Sequence, residues 1–316
     1  MQRRRLGRSS LQVAPIAFGA SVFGWTVDQP TAFRLLDAFV ARGFNLIDTA
    51  DVYYVWAPGN AGGESETIIG NWMRQRRRRD DVILTTKVGE ELAPDKKGLS
   101  RAYIMRAVED SLRRLGTDYI DLYLAHVDDA ATPLEETREE FGRRVDQGKV
   151  GVIGAANYQA PRLSEALGIS AGAGYPRYEC LQTLYNLCDR AEFESGLMPL
   201  CRGENVGVTA YRSLARGFLS GKYRSEAHRD LSRRGADAIA YLGERGNRIL
   251  AALDRVAADH RASVSQVALA WRIAQPGIAA AIVSASAVEQ LDELLGAVDL
   301  SLAPDAIDTL TAASAD

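Results

Sequence analysis

Cysteine and histidine are scarce in this chain, which has three of each among 316 residues. No two cysteines form a Cys-x-x-Cys pair, and no two histidines stand three or four residues apart. Because a structural metal site needs several such ligands close together, we expect no metal centre. Sparing use of cysteine is typical of proteins in a reducing compartment, so the cytoplasm is the expected location.

Long apolar runs and a broad positive field are absent as well. No run approaches the roughly 20 apolar residues that a membrane-spanning helix requires. The net charge is −3 with both signs interspersed, and the basic cluster at residues 76–79 closes a predicted helix, where cations suit the helix dipole. We therefore expect neither a nucleic acid nor a membrane as partner. The Gly-x-Gly-x-x-Gly fingerprint is also missing, which excludes a Rossmann domain as the means of binding a dinucleotide.

What the chain does contain is a regular alternation of short apolar runs and segments with helical spacing. The apolar runs end near Phe18, Asp48, Lys87, His126, Ala155, Leu184, Tyr211 and Ser284. The helical segments are predicted at 31–42, 66–77, 100–115, 134–146, 161–167, 192–204, 247–258, 265–274 and 288–298. Ser65 is expected to cap the second of these helices.

This alternation predicts an α/β fold, a (β/α)8 TIM barrel that forms a single domain over residues 1–316. Residues 5–13 read as two short strands about a Gly/Ser turn, so a β-hairpin should precede the barrel. A long loop at residues 212–246, rich in Arg and Gly, exceeds ordinary connections and indicates a functional or mobile segment. Helices complete the C-terminal part.

Polar side chains follow three neighbouring strands of the predicted barrel. Asp48, Lys87 and His126 each come at the end of an apolar run, and Tyr53 follows Asp48 by five residues. Taken singly, such residues serve turns, solvent or packing. Because the carboxyl ends of barrel strands meet on one rim, where catalytic groups collect, we expect these four to share one site.

Six segments carry a more specific pattern. They are Asp48-Thr49-Ala50-Asp51-Val52-Tyr53, Thr85-Thr86-Lys87, Leu122-Tyr123-Leu124-Ala125-His126, Gly154-Ala155-Ala156-Asn157-Tyr158, Gln182-Thr183-Leu184-Tyr185-Asn186-Leu187, and residues 211–223. In kind and order they resemble the signatures of aldo-keto reductases over nearly the whole chain. The segment 214–223 is similar to the bacterial branch related to voltage-gated potassium channel β-subunits.

The resemblance implies a catalytic group of four residues. Tyr53 would be the general acid, Lys87 and Asp48 would lie behind it, and His126 would place the substrate carbonyl. Carbonyl reduction needs a proton donor where negative charge grows on oxygen. A free tyrosine has a pKa of about 10, and we expect an adjacent lysine to lower it.

The resemblance also implies a nicotinamide cofactor, NADP(H) or else NAD(H). Its binding residues would be Gly19, Ala20, Ser21, Ala156, Asn157, Gln182, Tyr211, Arg212, Ser213, Leu214, Gly217, Lys222, Ser284, Ser286, Gln290 and Glu293. Asn157 and Gln182 would hold the carboxamide, while Tyr211 would stack on the nicotinamide ring. Ser286 stands where many NADPH-specific members have Arg, so Lys222 or an arginine of the long loop is expected to supply the missing charge.

Two functions follow from the resemblance. The first is an NAD(P)H-dependent enzyme that reduces aldehydes or ketones to alcohols, as a monomer or a homo-oligomer. The second is a nucleotide-binding regulatory subunit like the channel β-subunits; an unrelated barrel lyase is a third reading. Trp25, Tyr54, Val55 and Trp56 are predicted to form part of the pocket wall, which would suit apolar, cyclic or aryl carbonyl compounds.

Overall fold

The computed structural model describes residues 1–315, and within them eight parallel strands close into a barrel. The strands are β3 (Ile16–Gly19), β4 (Leu46–Asp48), β5 (Ile83–Val88), β6 (Ile120–Ala125), β7 (Val150–Ala156), β8 (Tyr178–Leu184), β9 (Gly207–Tyr211) and β10 (Ile278–Val283). Neighbours in sequence are neighbours in the sheet, and β10 closes the ring by pairing with both β3 and β9. The predicted (β/α)8 TIM barrel is confirmed.

An antiparallel hairpin precedes the barrel, formed by β1 (Arg4–Arg5) and β2 (Gln12–Val13). Leu6 and Val13 are fully buried and belong to the apolar cluster that fills the barrel interior. The remaining members of this cluster are Ala17, Leu46, Leu122, Leu124, Cys180, Ala279, Ala280 and Ile282. Burying a large aliphatic side chain contributes about 1.5 to 3 kcal/mol, so the predicted hairpin also stabilises the barrel by filling its N-terminal end.

Helices surround the barrel and bury one face each against it. They are α1 (Gln29–Ala41), α2 (Glu64–Arg76), α3 (Arg101–Leu115), α4 (Leu134–Asp146), α5 (Ala160–Ala173), α6 (Met198–Glu204), α7 (Gly235–Ile239), α8 (Glu244–His260), α9 (Val264–Ile273), α10 (Val288–Leu295) and α11 (Pro304–Ala313). No helix within residues 1–315 combines the length and the apolar character needed to cross a bilayer.

Several sequence-based helix assignments were wrong or incomplete. Ser65 does not cap α2, because Gly63 occupies the N-cap position and the Ser65 hydroxyl is buried against the Ala20 carbonyl and Thr49. The helix predicted at 161–167 continues to Ala173, and α11 was not assigned at all. The start of α2 and the end of α5 depend on tertiary contacts and on glycine conformations, which a local sequence pattern does not reveal.

The predicted loop at residues 212–246 is shorter and more ordered than expected, because α8 already begins at Glu244. It holds three short helical segments, Ala215–Ser220, Glu226–Leu231 and α7. Tyr223 is fully buried within it, and its hydroxyl shares a 2.7 Å hydrogen bond with the Ser232 hydroxyl. We call residues 212–243 the long segment.

Candidate active site

Lys87 is the centre of a polar cluster at the C-terminal rim of the barrel. It is fully buried, and its Nζ donates to Asp48 Oδ2 at 2.9 Å, to the Thr49 carbonyl at 2.6 Å and to the Tyr53 hydroxyl at 3.1 Å. An ammonium has three N–H groups, and all three are used here. The structure therefore brings both Asp48 and Tyr53 into direct contact with Lys87.

Opposing effects set the charges in this cluster. Burial by itself would lower the pKa of Lys87, but Asp48 and Tyr53 outweigh it and raise that pKa, so the lysine is a cation at neutral pH. Burial raises the pKa of Tyr53 to about 12, although the nearby Lys87 cation lowers it in opposition. Lys87 thus lowers the Tyr53 pKa as expected, but burial outweighs it, so the net pKa lies above its ordinary value and the phenol remains protonated.

His126 lies beside Tyr53 with the rings edge to face, their centroids 5.8 Å apart. Burial, reinforced by the Lys87 cation, holds the pKa of His126 well below its ordinary value, so the imidazole is neutral at neutral pH. Glu90 Oε2 lies 3.3 Å from His126 Nδ1, but Nδ1 makes no hydrogen bond in this conformation. Since the ring is neutral, this approach is not an ion pair.

Gln182 joins the cluster from β8. Its Nε2 donates to Asp48 Oδ1 at 2.8 Å and lies 3.4 Å from the Thr209 hydroxyl on β9. Both oxygens of Asp48 are therefore bonded, one to Lys87 and the other to Gln182. Asp48 is held as an acceptor for two donors, which fixes its orientation toward the lysine.

A second group of predicted residues lies beside the first, at the ends of β7 and β9. Asn157 Nδ2 donates to the His126 carbonyl at 2.9 Å, and its Oδ1 accepts from the Tyr211 hydroxyl at 2.8 Å. Asn157 has a φ of 60°, a left-handed conformation that asparagine tolerates better than most residues. The Arg212 guanidinium lies 5.8 Å from the centre of the Tyr211 ring, and Ala156 is buried at the end of β7.

The ends of β3, β9 and β10 are tied together by serines. Ser284 Oγ donates to the Gly19 carbonyl at 2.6 Å, and Ser213 Oγ donates to the Ile282 carbonyl. A Cβ on Gly19 would lie 2.8 Å from Ile282 Cγ2, so only glycine fits there. Ala20 and Ser21 follow directly in a short 3-10 turn. The ends of β3, β9 and β10 therefore form one continuous part of the barrel rim.

The remaining predicted cofactor residues form two separate groups. Leu214, Gly217 and Lys222 lie in the long segment, where Gly217 has a φ of 105° and Lys222 is exposed and forms no ion pair with the described residues. At the start of α10, Gln290 Oε1 accepts from the Ser286 amide at 3.0 Å. Glu293 Oε1 accepts from the Ser263 hydroxyl, so it is already engaged with the N-cap of α9. No hydrogen bond joins Lys222 to Ser286 in residues 1–315.

Aromatic side chains stand beside the polar cluster and are called here the aromatic stack: Trp25, Tyr54 and Trp56. The Trp25 and Tyr54 rings are parallel within 9° and 4.3 Å apart, and Trp56 packs on Tyr54 at 4.4 Å. Arg234 of the long segment covers Trp25, with its guanidinium 5.3 Å from the ring. Trp56 is 56% exposed, so more than half of its surface is open to solvent.

Glu90 is the residue at this site that motif reasoning missed. It follows Lys87 by three residues, in the loop after β5, and this closeness in sequence to a strand-ending lysine was the available signal. No three His, Cys, Asp or Glu side chains within residues 1–315 are grouped so that they could hold a metal ion.

Comparison with known proteins shows the family to which the chain belongs. The sequence profile described as the Aldo/keto reductase family matches residues 15–315. Uncharacterized oxidoreductase YrpG of Bacillus subtilis (strain 168) is 36% identical over 311 residues, which cover 96% of this chain and 92% of that protein. A probable voltage-gated potassium channel subunit beta of Arabidopsis thaliana is 32% identical over 308 residues, 95% of this chain and 92% of that one. Protein tas of Escherichia coli (strain K12) is 32% identical, over 97% and 96% respectively.

Proposed function

Because the chain belongs to the aldo/keto reductase family of oxidoreductases, we propose that it reduces aldehydes or ketones to alcohols with NADPH and that Tyr53 donates the proton. The observation that carries the proposal is the contact of the Tyr53 hydroxyl with the buried Lys87 cation, which Asp48 holds in place. A buried acid with a cation at its oxygen is what carbonyl reduction requires.

The proton transfer follows from the charges in the cluster. As hydride adds to the carbonyl carbon, negative charge develops on the carbonyl oxygen. An alkoxide oxygen is far more basic than a phenolate whose pKa is about 12, so Tyr53 can give up its proton even with this raised pKa. Lys87 then stabilises the phenolate that remains, and Asp48 keeps Lys87 charged.

His126 would orient the substrate. A neutral imidazole donates one hydrogen bond without adding a charge, so it can hold the carbonyl oxygen near Tyr53 without competing as an acid. Asn157 fixes this strand end through the His126 carbonyl. The four predicted catalytic residues would thus divide into one donor, two supporting charges and one orienting group.

The residues around the rim fit a nicotinamide nucleotide, which supplies the hydride when bound. The half-buried Tyr211 ring lies at the barrel mouth, where it could stack on a flat heterocycle, and Gln182 and Asn157 offer amide groups beside it. Lys222 is an exposed cation without an ion-pair partner among the described residues, which suits a phosphate. These features favour NADPH over NADH, although Ser286 itself offers no charge.

The aromatic stack supports a proposal about substrate class. Flat, stacked aromatic rings favour aryl, cyclic or otherwise apolar carbonyl compounds over small sugars, whose hydroxyls need polar partners. Trp56 leaves more than half of its surface open to contact such a substrate.

The direct test is NADPH oxidation with a panel of carbonyl compounds that includes aryl ketones, cyclic ketones, short aliphatic aldehydes and sugars. Turnover of at least one class, with alcohol formed in equal amount to NADPH consumed, is the expected result. Tight NADPH binding without turnover of any of them would overturn the proposal.

A regulatory role is the second candidate, favoured by one observation. Two of the relatives are named probable voltage-gated potassium channel subunit beta, and this chain is 32% and 33% identical to them. A subunit of that kind would bind the nucleotide and report its redox state to a partner. It would retain the rim residues, and nucleotide binding in the absence of turnover is the outcome that would favour it.

A further inference from the structure

Glu90 lies next to His126 without being engaged elsewhere. Its Oε2 is 3.3 Å from His126 Nδ1, and Nδ1 is buried and makes no hydrogen bond. The Glu90 side chain is 42% exposed and makes no hydrogen bond with the residues described, so nothing holds its carboxyl group away from the ring. Catalytic hydrogen bonds are often long before substrate binds, and a small rotation of this carboxyl group would complete the bond.

The backbone around Glu90 limits where its side chain can go. The preceding Gly89 has a φ of 117°, and its carbonyl accepts from the Gly98 amide at 2.9 Å. A Cβ on Gly89 would lie 2.7 Å from Leu99 Cδ2. The Glu90 backbone is therefore held in place two residues past the end of β5, directly after Gly89.

A neutral imidazole has one N–H and one lone pair, and its partner decides which nitrogen carries the proton. An ionised carboxylate at Nδ1 accepts the Nδ1 proton, so Nε2 is left with a lone pair. A protonated carboxyl group donates to Nδ1 instead, so Nε2 carries the proton and can donate. The state of the carboxyl group thus determines what the opposite edge of His126 offers to a ligand.

We propose that Glu90 is a positioning residue that selects the tautomer of His126. The inference rests on the proposed function. With Glu90 protonated, Nε2–H donates to a carbonyl oxygen, as reduction requires. With Glu90 ionised, the Nε2 lone pair accepts from an alcohol hydroxyl, as the reverse oxidation requires. His126 only forms hydrogen bonds in either direction, and the transferred proton moves between the substrate oxygen and Tyr53.

The surroundings of Glu90 allow such a change of state. Burial raises the pKa of Glu90, and the Lys87 cation opposes that rise. Tyr53 is neutral because its pKa is raised to about 12, and the Asp48 carboxylate is shielded by its bonds to Lys87 and Gln182. Protonated Glu90 therefore persists to a higher pH than an ordinary carboxyl group would.

Two other titratable groups face this region. Burial raises the pKa of the Tyr211 phenol, so this phenol stays neutral, as Tyr53 does, while Glu90 titrates. Asp51 is a buried carboxyl group whose pKa is raised well above its ordinary value by burial and by Glu66, so it also titrates outside the usual acid range. Asp51→Asn is needed to tell its contribution from that of Glu90.

The tautomer can be measured directly by ¹⁵N NMR, because the two ring nitrogens shift in opposite senses when the proton changes sides. The chain has only three histidines, and His126→Gln identifies the signal of interest. As pH rises through the raised pKa of Glu90, we expect His126 in the cofactor-bound protein to change from Nε2–H to Nδ1–H. Glu90→Gln should show a single tautomer throughout.

Kinetics supply the second readout. The kcat for reduction should fall about tenfold over the same pH range, the equivalent of one lost hydrogen bond, and Glu90→Gln should remove this fall. Glu91→Gln is the matched control, because it makes the same change one residue away on an exposed side chain paired with Lys97. It should retain the wild-type profile.

An unchanging His126 tautomer in the wild type, or the same pH-dependent change in Glu90→Gln, would overturn the inference. So would a pH dependence that Asp51→Asn removes and Glu90→Gln does not. The NMR result does not require turnover, so a protein that reduces no carbonyl compound but shows the Glu90-dependent change would overturn the proposed function alone.

Discussion

At the scale of single residues, the Tyr53 hydroxyl is the atom on which the proposed chemistry depends. Tyr53→Phe removes the proton donor and leaves the ring, so we expect kcat for carbonyl reduction to fall by about 100-fold or more. Cofactor affinity should stay within a few-fold, because the hydroxyl bonds to Lys87 and not to a predicted cofactor-binding residue. Steady-state kinetics and nucleotide titration by fluorescence quenching measure the two effects separately.

Tyr54→Phe is the control for this variant. It removes the same group from the neighbouring residue, whose contacts are ring contacts with Trp25 and Trp56. A comparable turnover number in Tyr53→Phe and Tyr54→Phe would show that Tyr53 is not the general acid.

A second prediction at this scale concerns Lys222, which we expect to determine the preference for NADPH over NADH. A charge-assisted hydrogen bond to a phosphate is worth about 1.5 to 3 kcal/mol, so Lys222→Ala should weaken NADPH binding by about 10-fold or more. NADH should be affected much less if the lysine meets the 2′-phosphate. Fluorescence titration of both nucleotides measures the difference.

The matched control is Arg233→Ala, which removes another exposed cation of the long segment. Equal losses for NADPH and NADH in Lys222→Ala would place the lysine on the pyrophosphate. A selective loss in Arg233→Ala would assign the 2′-phosphate to the arginine.

At the scale of elements, the loop after β4 determines substrate preference through the aromatic stack. An aromatic pair contributes about 0.5 to 1.5 kcal/mol, so Trp56→Ala should raise KM for bulky aryl ketones by about 2- to 10-fold. Short aliphatic aldehydes are too small to span the stack, and their KM should change little. Competing substrates in one assay measure the ratio directly.

Met105→Ala serves as the comparison, because Met105 is a 47% exposed apolar residue on α3 and outside the stack. It should leave both KM values unchanged. If Trp56→Ala shifts the two substrate classes equally, the stack does not select between them.

Elements also show where sequence reasoning succeeds and where it stops. The strands were predictable because parallel strands buried on both faces are continuous apolar runs, and β10, with all six residues buried, is the clearest case. The extent of α5 was not, because Gly168 and Gly172 suggest a stop while the true cap is Gly174, with a φ of 70°. A glycine marks a helix end only where the backbone becomes left-handed, and that depends on tertiary packing.

The site shows the same division. The residue types of Asp48, Lys87 and His126 at successive strand ends were sufficient to predict that they meet. The net direction of the Tyr53 pKa was not predictable, because it is the difference between burial and the Lys87 charge, and only the fold fixes both. Glu90 escaped notice because it belongs to a loop whose path is determined by contacts distant in sequence.

At the scale of the whole molecule, Asp51 imposes a cost on stability that depends on pH. Both its oxygens are buried without hydrogen-bond partners, next to the Glu66 carboxylate that Arg114 and Thr86 hold. Burial, followed by Glu66, raises the folded-state pKa of Asp51 well above its ordinary value. The folded state therefore retains a proton that the unfolded state loses, and this contribution to stability falls as pH rises through that interval.

Asp51→Asn removes this cost. We expect the variant to be more stable than the wild type by about 1 to 3 kcal/mol near pH 8, since the buried amide requires no proton uptake on folding. The gain should shrink as pH falls through about 4, because only below that pH is the carboxyl group protonated in the unfolded state as well. Urea unfolding at several pH values measures it, with the exposed Asp95→Asn as control. A gain that is independent of pH would contradict the assignment.

Ring closure by β10 has a consequence for how the chain is made. The hydrogen bond from Ser284 to Gly19 spans 265 residues, and β10 must insert between β3 and β9 before either strand has a partner on that side. During synthesis, β3 is the first barrel strand to emerge, and its partner β10 is made only after nearly the entire chain. An unpaired strand edge is a template for aggregation, and parallel pairing over long separations is slow. A chain that ends before Ile278 therefore leaves an open sheet with two such edges, those of β3 and β9.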